Sequence, residues 1–114
     1  MFTIYHNPHC KKSRAGLKWL EEKAVDFTIR EYLKTPLSEK ELSQLLIKLN
    51  LKAIDIVRTQ EEVYKTQFKN KKFNDNEWVK ILIEYPKLIK RPIIASKVKA
   101  VMGDPIENLE YLIK

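Results

Sequence analysis

The sequence predicts an α/β fold: a mixed four-stranded sheet with helices packed on both faces and a helical insertion in the middle. Two observations lead there. The chain opens strand–helix–strand, with a helix long enough for a right-handed parallel crossover, and it closes strand–strand–helix. Between these halves lies a series of segments carrying helix-start signals and helical apolar spacing.

Taken in order, Phe2 to Tyr5 is apolar and β-rich, a buried strand, and Asn7-Pro8 forces a loop after it. Leu17, Leu20 and Ala24 recur at helical spacing, with Trp19 extending the face, and predict a helix over residues 13–24. Phe27, Thr28, Ile29 and Tyr32 mark a second strand within residues 26–33. Ser38 and Glu41 have capping-box spacing and open a helix with Leu42, Leu45, Leu46 and Leu49 on one face, ended by Asn50. Two shorter helical pieces are expected over residues 53–57 and 61–68, separated by Arg58-Thr59. Asn74 and Glu77 form another box before Trp78, Ile81, Leu82 and Tyr85, and Pro86 stops that helix. Residues 91–95 and 98–102 read as the third and fourth strands. Gly103 marks a turn, and the last helix is expected to use Asp104 as cap, Pro105 as first residue and Glu107 to complete a box. Its inner face would be Ile106, Leu109, Leu112 and Ile113. The order βαβ, helical insert, ββα is the thioredoxin-like, glutaredoxin-type arrangement.

With 114 residues the chain is expected to form one domain, residues 1–114, and it shows no internal repeat or linker. No stretch approaches a membrane span and no secretory leader opens the chain, so the expected location is cytoplasmic, with no membrane partner. The net charge of +7 comes from lysines spread along the whole length rather than from a stripe with stacking aromatics. No nucleic-acid partner is therefore expected, although the field draws small anions. A single cysteine cannot form an internal disulfide, and HNPHC lacks paired metal-ligand spacing, so no metal is expected.

That cysteine, Cys10, has both histidines of the chain, His6 and His9, just before it and Lys11, Lys12 and Arg14 just after. A helix beginning after the first strand places Cys10 at its N-terminus, where unpaired amides and the dipole favour a thiolate. The neighbouring cations and His6 are expected to push the same way. Two arginines downstream, Arg58 in AIDIVR and Arg91 just before Pro92, have the planar fork that grips oxyanions. The segment suits an anion.

HNPHCKKSR resembles the active-site segment of the ArsC-type arsenate reductases, a strand followed by His-Asn-Pro-x-Cys-x-x-Ser-Arg opening a helix. The resemblance continues through EYLKTPLSEKEL, VRTQEEVY, FNDNEW, LIKRPIIAS and PIENLEYL, nearly the whole chain. It implies Cys10 as nucleophile, His6 as its activator, and Ser13 and Arg14 at the start of the helix. It also implies Arg58 and Arg91 as oxyanion ligands, and Pro92 as a cis-proline facing the cysteine loop. With Lys11 and Lys12, these residues make up the expected substrate site. One position departs: the family's third oxyanion arginine, before the proline of the last helix, is here Asp104, which repels an anion unless it turns away as a cap.

The implied activity is reduction of arsenate to arsenite by an oxidoreductase with no bound cofactor, using glutathione as external thiol reductant and glutaredoxin as partner. Having no second cysteine, the chain cannot resolve its own adduct, so an external thiol must do so. Two alternatives share the fold: a thiol oxidoreductase acting on another substrate such as a glutathione-linked disulfide, and an Spx-like transcriptional regulator binding RNA polymerase. Those regulators commonly carry a Cys-x-x-Cys switch, where this chain has Cys10-Lys11-Lys12-Ser13.

Overall fold

In the computed structural model, residues 1–113 are described. They form two compact units: Met1–Thr35 together with the chain from Arg91 onward, and the insert Pro36–Lys90. No helix among the described residues is long and apolar enough to cross a membrane.

The first unit holds β1 (Phe2–Tyr5), α1 (Lys11–Glu22), β2 (Phe27–Arg30), β3 (Ile93–Ala95), β4 (Ala100–Met102) and α4 (Glu110–Ile113). The strand order is β2-β1-β3-β4. β1 runs parallel to β2, with Ile4 opposite Ile29, and antiparallel to β3, with Ile4 opposite Ile94. β4 pairs antiparallel to β3, with Val101 opposite Ile94. The sheet is mixed and the fold is thioredoxin-like, as the element order predicts. Ile4, Leu20, Ile94 and Leu109 are wholly buried in one cluster, joined by Leu17, Trp19, Phe27, Val101 and Leu112. Burial of four such side chains at about 1.5–3 kcal/mol each is what ties α1 and the C-terminal helical segment to the sheet.

Several boundaries move. α1 starts at Lys11 rather than Ser13, because the first turn is set by the loop bonds before it and not by apolar spacing. β2 stops at Arg30, and Tyr32, though buried, lies in the turn that follows. β3 and β4 lose their predicted first residues, since Pro92 has no N–H for the ladder and Val98 is exposed in a bend. The C-terminus departs furthest. Pro105 precedes a 3-10 segment, Ile106–Leu109, with no side-chain cap, and α4 follows directly. Asp104 is therefore not a cap. Of the predicted inner face, Leu109 is buried and Leu112 packs against the core, while Ile106 and Ile113 are exposed.

The insert contains α2 (Glu39–Leu49) and α3 (Asp75–Glu84), each opened by the expected capping box, Ser38 with Glu41 and Asn74 with Glu77. Asn50 ends α2 in the left-handed region at φ 56°. The two short pieces are a 3-10 turn, Ala53–Ile56, and a π-helical turn, Tyr64–Phe68. Phe68, Phe73, Trp78 and Tyr85 pack edge to face or tilted at centroid distances of 5.2–6.0 Å, with Phe68 and Trp78 in the insert's core. A single bridge between Val57 and Ile89 pins the backbone of Arg58, whose N–H donates to the Leu88 carbonyl at 2.7 Å.

Candidate active site

The site is built by the loop between β1 and α1. His6 N–H still donates to the Arg30 carbonyl at 2.9 Å, extending the β1–β2 ladder by one rung. Asn7 then turns the chain: its Oδ1 accepts from His9 N–H at 3.0 Å and its carbonyl from Cys10 N–H at 3.0 Å. Pro8 removes a donor where none is needed, and its carbonyl accepts from the Arg14 guanidinium at 2.9 Å. Arg14 thus braces the loop from behind.

Ser13 holds the loop from inside. It is fully buried, and its hydroxyl oxygen accepts the Asn7 N–H at 3.0 Å. The same hydroxyl lies 2.7 Å from His6 Nδ1. Burial keeps the His6 pKa below the usual histidine value; Glu31 opposes the shift and the Arg14 charge adds to it. A neutral ring with its proton on Nε2 accepts the Ser13 hydroxyl proton at Nδ1, and with its proton on Nδ1 it donates to that hydroxyl instead. The Ser13 side chain, expected from the sequence among the substrate ligands, is buried and holds the loop, while its backbone N–H acts on the Cys10 sulfur.

Cys10 is the N-cap of α1, extended at φ −97°, ψ 123°, with its thiol partly exposed. It makes no cap bond of the hydroxyl or carboxylate kind. Burial pushes its pKa up, but the Ser13 N–H, a hydrogen bond from the Arg91 side chain, the Lys12 N–H and the Arg91 charge together bring it below the ordinary thiol value. The side-chain charges of Lys11, Lys12 and Arg14 and the His6 ring, expected to act on the sulfur, are not among these causes. Lysine charge sits at the end of a long solvated stem, whereas an amide is fixed at the helix end.

Arg91 reaches the sulfur from the position before Pro92, and the peptide bond between the two is cis. Pro92 in turn is seated by the two glycines of the chain. A Cβ on Gly16 of α1 would stand 3.0 Å from Pro92 Cγ, and one on Gly103 would stand 2.5 Å from the same atom. Neither Gly16 nor the pairing of both glycines with Pro92 was read from the sequence, although a chain with only two glycines offered that signal.

Asp104 does not turn away. Its Oδ2 accepts from Lys12 Nζ at 2.7 Å, linking the loop after β4 to the first turn of α1. Lys11 is exposed. Arg58 is carried by the insert, where its guanidinium pairs with Glu61 at 3.3 Å.

A partly exposed, acidified thiol at the first helix of a thioredoxin-like sheet, with an arginine and a cis-proline beside it, defines the class: a thioredoxin-like thiol protein. The profile of the ArsC family matches residues 5–112, and the chain belongs to that family. It is 35% identical over 112 residues to an arsenate reductase of Neisseria meningitidis, covering 96% of each chain. Similarity to an arsenate reductase of Haemophilus influenzae is 38% over 108 residues, covering 93% of each. Among solved structures, an arsenate reductase from Vibrio cholerae superposes with a TM-score of 0.88 at 36% identity, over 96% of this chain and 95% of that one.

Proposed function

We propose that the protein reduces arsenate to arsenite through nucleophilic attack by Cys10, with an external thiol supplying the electrons. The observation that carries this reading is the donor set on Cys10 Sγ: the Ser13 and Lys12 amides and the Arg91 side chain. Those groups favour a thiolate and then face the oxygens of an anion bound to it. The similarity to arsenate reductases across nearly their full length supports the choice of substrate.

In the first step the sulfur bonds to arsenic while one hydroxyl takes up a proton and leaves as water; arsenic stays pentavalent. Arg91 and the helix amides stabilise the charge that develops, which is where preorganised donors contribute most. A glutathione thiolate then attacks the Cys10 sulfur. The S–As electron pair stays on arsenic, which departs as trivalent arsenite, and a Cys10–glutathione disulfide remains. Glutaredoxin attacks that disulfide and returns the Cys10 thiolate. Two thiols become one disulfide, and the two electrons go to arsenic. Such chemistry suits the reducing cytoplasm, where we place the protein. The role of Arg58 as a second oxyanion ligand rests on the resemblance alone.

The test is arsenite production with glutathione and glutaredoxin for wild type and Cys10→Ser. Wild type is expected to turn over and the variant to fall to background. Equal rates in the two would dispose of the mechanism. A second reading, attack on a glutathione mixed disulfide, is favoured by one observation: Asp104 already engages the Lys12 cation. Activity on such disulfides with none on arsenate would select it.

A further inference from the structure

Lys12 contributes to the site in two opposed ways. Its backbone N–H acts on the Cys10 sulfur, while its ammonium is drawn to Asp104 at 2.7 Å. The carboxylate cannot easily follow the lysine elsewhere. Gly103 N–H donates to the Pro92 carbonyl at 2.8 Å, and the Asn108 side chain donates to the Met102 carbonyl at 3.1 Å. Gly103 also lies flush against the Pro92 ring. Asp104 is thus held beside the proline whose preceding residue, Arg91, contacts the thiol. The lysine is the more exposed partner: its side chain is 66% exposed, against 45% for the aspartate.

We infer that Asp104 is an affinity-determining residue: it withholds the Lys12 ammonium from anions approaching Cys10, so the site holds them less tightly than its cations would allow. The inference rests on Cys10 being where the anion binds. With Asp104 ionised, a bound oxyanion is held by Arg91 and the amides and sees a net-neutral pair in the first turn of α1. With Asp104 made neutral, the same lysine is free to hydrogen-bond the anion. An exposed pair of this kind contributes little to stability, so its removal changes recognition far more than folding.

The test measures anion binding without turnover, by protection of Cys10 from alkylation with arsenate or sulfate at constant ionic strength. Asp104→Asn is expected to bind both anions about tenfold more tightly, the scale of one added charge-assisted hydrogen bond. In the wild type Lys12→Gln is expected to weaken binding by only about two- to threefold, because that ammonium makes no bond to the anion and the carboxylate it leaves unpaired acts only through solvent. In the Asp104→Asn background the same substitution should abolish the tenfold gain. Lys12→Gln effects of equal size in the two backgrounds, or an Asp104→Asn protein no tighter than wild type, would overturn the inference. Arsenite production is scored separately. Anion binding that responds as expected in a protein making no arsenite would sink the proposed reaction and leave the role of Asp104 standing.

Discussion

Cys10 shows how a single side chain is tuned by its backbone. The Ser13 and Lys12 amides and the Arg91 guanidinium outweigh burial and lower its pKa. The titration should therefore respond to Arg91 and ignore the cation next door. Arg91→Met is expected to move the midpoint of Cys10 alkylation by iodoacetamide upward, toward the ~8.5 of a free thiol, while Lys11→Gln leaves it in place. An unmoved midpoint in Arg91→Met would remove the arginine from the site. The same shift links to stability. Between the lowered folded pKa and the ordinary thiol value the unfolded chain holds the proton more firmly, so stability rises with pH across that window and is lost as pH falls through the folded pKa. Urea midpoints measured over the window should show the rise in wild type and not in Cys10→Ser. The nucleophile and its setting were legible because HNPHC follows a strand directly. Of the sources of the acidity, the amides at the helix end were legible and the Arg91 hydrogen bond was not. Sequence proximity favours Lys11, Lys12 and Arg14, whereas Arg91 arrives from far along the chain through the sheet.

At the level of elements, α1 is placed by contacts at its N-terminus and its middle. Its N-terminus is fixed by Ser13 binding the loop, and its middle by Gly16 lying on Pro92. Gly103 approaches the same ring from β4, and there the space is already used: an added methyl would stand 2.5 Å from a carbon of a rigid ring. Gly103→Ala is accordingly expected to cost about 1–3 kcal/mol, as overpacking does, read as a lower urea midpoint with unchanged slope. Stability equal to wild type would show that the loop after β4 yields easily. The helices of the insert were legible to within a residue at their starts, since Ser38 with Glu41 and Asn74 with Glu77 announce themselves locally. The C-terminal segment was not. Asp104-Pro105 has the composition of a helix start, but Lys12 takes the carboxylate, and the turn begins one residue later as 3-10. Local propensity there loses to a tertiary partner.

At the level of the whole chain, one number constrains the reaction more than any contact: a single cysteine in 114 residues. In the proposed reaction arsenate takes up two electrons and Cys10 is returned as a thiolate, so each full cycle consumes two thiols from outside, one attacking the adduct and one freeing Cys10. A stoichiometric expectation follows. Protein mixed with arsenate and no other thiol should yield no arsenite at a one-to-one ratio, because the adduct on Cys10 has nothing to displace it. The one escape is Cys10 of a second copy acting as the attacking sulfur. It would leave a disulfide-linked dimer and at most one arsenite for every two chains, and a non-reducing gel would reveal it. Adding glutathione without glutaredoxin should release one arsenite per chain and then stop, with intact-mass measurement finding a single glutathione on Cys10. Continued turnover under those conditions would mean that glutathione alone clears the mixed disulfide. The net charge of +7 adds a kinetic signature to the last step. If glutaredoxin presents an acidic face, its encounter with this chain is steered by the field, and the rate of disulfide removal falls as salt rises, while attack by excess glutathione changes far less. A salt-independent rate would mean that the basic surface plays no part in choosing the donor.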